Sequence, residues 1–197
     1  MRHLLLALPF TLLPLAAAQA SSHEHTHEHE HHEEHGSLDA HEHGAAQLNV
    51  VLDGKVLELQ LESPAMNLLG FEHAPNSDAD KTKVAAVHQQ LQQPQALFGL
   101  SAGHCTVAKQ ELESPLFAGH ADADEHEHAH EAPHKGEHSD IDAHYSLNCS
   151  KPEALKQLDL KELFKRFPAT EKIQVQLIGP NGQQGLELTP AQPTLSF

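Results

Sequence analysis

Two stretches of this 197-residue chain are unable to contribute to a core. Residues 21–44 are almost wholly His, Glu and small polar residues, and hold His23, His25, His27, His29, His31, His32, His35, His41 and His43. A second tract runs from about His120 to His138 and encloses His126, His128, His130 and His134. Ordering backbone costs about 1–2 kcal/mol per residue, and these stretches have scarcely any large apolar side chains whose burial would offset it. Both are therefore expected to be disordered without metal. The fold must be built from residues 45–197, read as one domain interrupted by a His-rich loop over 118–138, in keeping with roughly 100–200 residues per domain.

Charge and targeting narrow the partners. Asp and Glu outnumber Lys and Arg by 28 to 12, for a net charge of −16. That excludes a nucleic-acid partner, because phosphate binding needs a Lys/Arg surplus, and it argues against docking on anionic lipid. Arg2-His3, the apolar run Leu4 to Leu15 and the small residues Ala18 and Ala20 read as a cleaved signal peptide over residues 1–20. The run is short of the ~20 residues a membrane span needs, so no membrane insertion is expected after processing. The expected compartment is a bacterial periplasm. In such an oxidising compartment Cys105 and Cys149 are expected to form a disulfide, in preference to a pair of zinc thiolates, for which the C-x-x-C spacing is missing.

Outside the tracts, periodicity outlines the elements. Leu48, Val50 and Leu52 alternate, Asp53-Gly54 reads as a hairpin turn, and Leu57, Leu59 and Leu61 alternate again before Ser63-Pro64. Ser77 with Asp80 is a capping box ahead of Val84, Val87, His88 and Leu91 at helical spacing, with Pro94 as the stop. A strand over about 102–112 and the strict alternation Ile141, Ala143, Tyr145, Leu147, Cys149 would pair antiparallel if the cysteines face each other. Glu113 would then face Ile141, and the second tract becomes a loop stapled at its base. Ser150 with Glu153 is read as another capping box, and Asp159 with Glu162 as the start of a further turn. Leu160, Leu163, Phe164 and Phe167 follow at helical spacing. Ile173, Val175 and Leu177 form a strand, Pro180-Asn181-Gly182 a turn, and Leu186 and Leu188 begin the return strand. The expected fold class is α+β: mainly antiparallel sheet and hairpins with a few short helices, plus the two disordered His-rich segments.

The histidines point to metal. Neutral imidazole suits Zn, Cu and Ni, and its ordinary pKa of about 6.5 leaves it largely deprotonated at neutral pH. Repeats such as His23-Glu24-His25 and His126-Glu127-His128 put imidazoles on one side of an extended chain, so a flexible tract offers several exchangeable sites to several zinc ions. Nickel or copper buffering or detoxification is the alternative binding role, since affinity order places Cu above Zn. A pH-responsive structural module is another. Cleavage after Ala20 would also create the terminus Ser21-Ser22-His23, whose amine, amides and imidazole suit square-planar Cu(II) or Ni(II). A zinc hydrolase would need a preformed three-ligand site with an open position, and no H-E-x-x-H motif is present, so the chain is not expected to be an enzyme. Among histidines outside the tracts, His88 is expected in the core and His144 on an exposed strand face. Glu72 and His73, in Gly70-Phe71-Glu72-His73-Ala74-Pro75, and His43, just ahead of the first strand, are the candidate ligands anchored to the fold.

Several blocks share a family pattern. His43-Gly44, Leu48-Asn49-Val50, Ser63-Pro64-Ala65, Gly70-Phe71-Glu72-His73-Ala74-Pro75, His138-Ser139-Asp140, Tyr145, Cys149 and the Phe164/Phe167 segment resemble the ZrgA-type periplasmic zinc-binding proteins over essentially the whole mature chain. The resemblance implies a periplasmic accessory protein of zinc acquisition, acting with a zinc ABC importer and its substrate-binding protein. The long N-terminal His/Glu tract is an addition to that pattern.

Overall fold

Strict apolar–polar alternation sets the architecture. The structure, a computed structural model, describes residues 42–117 and 139–197. In chain order, β1 (Ala45–Asp53) and β2 (Val56–Pro64) form a hairpin, followed by α1 (Ala65–Leu69), α2 (Asp78–Leu91) and α3 (Pro94–Leu97). Then come β3 (Cys105–Glu113), β4 (Asp140–Cys149), β5 (Gln157–Asp159), α4 (Lys161–Arg166), β6 (Lys172–Gly179), β7 (Gly182–Leu188) and β8 (Thr194–Ser196). Six strands form one sheet in the order β3-β4-β2-β1-β6-β7, and β5 pairs with β8. Only β1 and β6 run parallel; the other pairs are antiparallel. The fold is α+β. Among the described residues no helix is long and apolar enough to cross a membrane.

Every second strand residue faces the helices. One inward row, Leu112, Ala143, Leu61, Leu48 and Val175, crosses five strands in register. Leu68 and Leu69 of α1, Val84, Val87 and Leu91 of α2, Leu97 of α3, and Leu163 and Phe164 of α4 join the same buried cluster. Tyr145 lies inside it. Its hydroxyl donates to the Leu91 carbonyl at 2.8 Å, and burial pushes the phenol above its ordinary pKa range. The opposite face carries polar side chains, among them Asn49, Gln60, His144 and Glu111 in one cross-strand row.

Most sequence-derived elements stand where expected, and the differences have local causes. Asp53 pairs with Val56, so the two-residue turn is Gly54-Lys55, one place later than the dipeptide Asp53-Gly54 suggested. Gly54 at φ +57° supplies the positive φ that this tight turn requires. The Ser77–Asp80 capping box is present in both directions, and its hydrogen bonds hold the Asp80 carboxyl below the ordinary range. Pro94 takes the first position of α3, where its missing N–H has no helical partner to lose. Ser150 and Glu153 do not form a capping box: the short 3-10 turn Pro152–Ala154 has Lys151 at its N-cap and no side-chain cap. Asp159 ends the β5 ladder opposite Thr194, so α4 starts later, and Asp159 accepts only from the Lys161 N–H at 2.9 Å.

One correction changes a whole strand. Cys105 faces Cys149 as expected and the two are disulfide-bonded, but Glu113 faces Asp142, not Ile141. The register shifts between Val107 and Lys109, where Ala108 is the extra residue of a β-bulge. Without it, Glu111 and Glu113 would point at the core and Leu112 at solvent, because a one-residue slip exchanges the faces of a strand. Burying two carboxylates without partners is far more costly than one bulge.

The bulge leaves Glu113, Asp142 and Glu62 side by side on the outer face. Burial first, and then Asp140, raise the Asp142 carboxyl above its ordinary 3.8; His144 lowers it by less than either, and Glu113 adds the smallest rise. The folded state thus holds this proton more tightly than the unfolded chain does, and ionised Asp142 opposes folding at neutral pH. Asp142→Asn should therefore stabilise the protein near pH 7, by on the order of 0.5 kcal/mol. The gain should vanish once the pH falls below the unfolded value of 3.8. Urea denaturation of both proteins at the two pH values tests this. Replacing Cys105 and Cys149 together by Ala frees a loop with a sequence separation of 44 and should cost about 4 kcal/mol, read from the denaturation midpoint under non-reducing conditions.

Candidate functional site

The chain enters the domain through a tight turn that displays His43. Ala45 N–H donates to the Glu42 carbonyl at 3.0 Å, and Gly44 adopts φ +85°, the conformation a type II turn asks of its third residue. The Gly44 carbonyl accepts from Glu171 N–H at 2.7 Å and Lys172 N–H at 3.0 Å, which aligns β1 with β6. Lys172 Nζ also holds Glu42 Oε2 at 3.1 Å, and the Glu42 carboxylate raises the Lys172 ammonium above its ordinary range. On the other side, Gly44 N–H donates to Asn67 Oδ1 at 2.7 Å.

The second half of the site comes from the loop after α1. That helix ends at Gly70, whose N–H donates to the Met66 carbonyl, and the chain turns into Phe71–Pro75. Ser139, directly before β4, ties this segment to the start of α1: its hydroxyl donates to the Glu72 carbonyl at 3.1 Å, and its own carbonyl accepts from Ala65 N–H at 2.8 Å. Glu72 thereby meets His43, with Nε2 3.0 Å from Oε1. A carboxylate only accepts, so Nε2 is the donor, and in the neutral ring the lone pair resides on Nδ1. The Glu72 side chain is 13 % exposed and that of His43 48 %, so a shielded acceptor orients an accessible ring. This is the arrangement by which carboxylates orient metal-binding imidazoles.

His73 is held differently. Its ring stacks on Phe71 at 4.8 Å, and its Nδ1 donates to the Ala74 carbonyl at 2.9 Å, which assigns the lone pair to Nε2. The structure thus joins His43 with Glu72 and fixes His73 in the same loop. Among the described residues no group of three or more His, Cys, Asp or Glu side chains is gathered to hold a metal ion. The remaining candidate ligands, namely His23, His25, His27, His29, His31, His32, His35, His41, His120, His126, His128, His130, His134 and His138, lie outside the described residues, as do the signal peptide and Ser21-Ser22-His23. His88 is only partly buried, its ring meeting Phe117 edge-on at 5.0 Å, in place of the core position expected for it.

Sequence reasoning missed Asn67. It is one of three buried polar residues among those described, with Ser63 and Thr170. The available signal was a lone amide within Ala65-Met66-Asn67-Leu68-Leu69, where every neighbour is apolar.

Together, fold and site define a small α+β domain with an imidazole–carboxylate pair beside the start of its first strand. The chain belongs to the ZrgA family of zinc uptake proteins, whose family model matches residues 40–197. No curated protein matches the chain.

Proposed function

We propose that this protein is exported to the periplasm, captures zinc there and passes it to a zinc ABC importer by way of the importer's substrate-binding protein, without catalysing a reaction. The observation that carries the reading is membership of a zinc uptake family across the whole described domain. Glu72 accepts from His43 Nε2 and the Ala74 carbonyl accepts from His73 Nδ1; acceptors of this kind orient metal-binding imidazoles, which supports reading His43 and His73 as candidate ligands anchored to the fold. By position in the chain, His41 precedes this turn by two residues and His138 directly precedes the Ser139 that clamps Glu72. In this reading the tracts raise the local zinc concentration, and His43, Glu72 and His73 are the candidate residues anchored to the fold.

Two measurements test the reading. In zinc-starved cells, deleting the gene should slow growth, and a His43→Gln/His73→Gln variant should restore it only in part; unimpaired growth of the deletion strain would remove the uptake role. In calorimetric titration, zinc affinity should fall as the pH is lowered from about 7 to 5.5, because ligand nitrogens must be unprotonated. Unchanged affinity across that window would assign the binding to carboxylates.

A further inference from the structure

We infer that Asn67 is the positioning residue of the zinc site: it locks the turn that carries His43 to the helix that leads to Glu72. The inference rests on the His43–Glu72 reading above and extends it to a residue with no metal-binding atom of its own there.

Asn67 makes three hydrogen bonds from a side chain in a residue only 2 % exposed. Oδ1 accepts from Gly44 N–H at 2.7 Å, while Nδ2 donates to the Ala45 carbonyl at 2.8 Å and to Ser63 Oγ at 3.2 Å. Two of these contacts fall on the backbone directly after His43, one a donor and one an acceptor. Only a planar amide offers both from a single side chain in this way. A carboxylate would lose the donor, and an aliphatic residue would leave Gly44 N–H without its partner. The helix bearing Asn67 is five residues long, and Glu72 lies three residues beyond its end. A short covalent path therefore links the amide to the carboxylate, while the hydrogen bonds link it to the imidazole. Packing does not explain an amide at this place, because Leu68 and Leu69 supply the apolar contacts of α1. Without Asn67, the Glu171 and Lys172 amides still hold the Gly44 carbonyl. The turn would stay attached to β6 yet be free to tilt relative to α1, so the domain can fold while the separation of His43 and Glu72 is no longer set.

The test uses the full-length protein, uniformly labelled, with amide NMR spectra recorded during a zinc titration. In the unaltered protein, zinc should shift the amides of His43, Gly44 and Phe71–His73 together, and His43→Gln should abolish that concerted response. Asn67→Ala should keep the dispersed spectrum of the sheet but raise the zinc concentration for half-response at these amides by about tenfold, the lower end of what loss of an orienting partner costs a metal site. Responses of the His-rich tracts should be unchanged. Asn67→Asp, which retains the acceptor for Gly44 N–H, should recover part of the loss. Should the alanine variant lose its folded spectrum, Asn67→Ser replaces it, with a hydroxyl too short to reach Gly44. An unchanged half-response in the folded Asn67 variant overturns the positioning role alone. No zinc response at His43 and Glu72 in the unaltered protein overturns the site and this inference together.

Discussion

One face of the six-stranded sheet is buried and the other meets water, and the remaining features of the domain follow from that asymmetry. Burying a Leu or Val side chain contributes about 1.5–3 kcal/mol. The inward rows through Leu48, Leu61, Ala143 and Val175 therefore tolerate no slip of register. At β3 the alternation of the sequence conflicts with that demand, and the Ala108 bulge resolves it by inserting one residue. The consequence appears on the solvent side, where Glu113, Asp142 and Glu62 stand in one row and the Asp142 carboxyl is raised.

The same asymmetry explains where the chemistry sits. A buried sheet face lined with Leu, Val and Ile offers no ligand, and the His43–Glu72 pair lies instead just before β1 and just beyond α1. There, backbone groups at the ends of β1, α1 and β4 need partners, and Gly44, Asn67 and Ser139 provide them. Each such hydrogen bond has a modest net value, about 1 kcal/mol, but leaving its buried partner unsatisfied would cost about 1–3 kcal/mol. The polar cluster is thus held by the penalty for breaking it. His43 and Glu72 meet because the segments that carry them are already tied to the same scaffold.

For a zinc uptake protein this gives two settings for histidine in one chain. The tracts are rich in imidazole and, by composition, unable to build a core. The domain presents imidazoles whose protons are placed by fixed acceptors: Glu72 for His43 and the Ala74 carbonyl for His73. Such acceptors fix the tautomer of the ring and, where the ring binds metal, raise the basicity of the ligand nitrogen.

Local sequence alone determined a great deal. The alternation in β1, β2, β4 and β6, the Ser77–Asp80 cap, the Phe164/Phe167 helix and the partnership of Cys105 with Cys149 are all short-range patterns or a forced pairing of two cysteines, and they stand in the structure. His43, Glu72 and His73 stood out by residue type as candidates, and the structure pairs His43 with Glu72. Tertiary structure decided the rest. The parallel pairing of β1 with β6 joins segments over a hundred residues apart and leaves no local trace. The Ala108 bulge arises from a conflict between two strands, neither of which shows it by itself. Asn67 reads in sequence as a misplaced polar residue, and becomes a bridge only when the backbone of Gly44 and Ala45 is brought against α1. Periodicity reports which face a side chain takes; it does not report which distant backbone group will be waiting there.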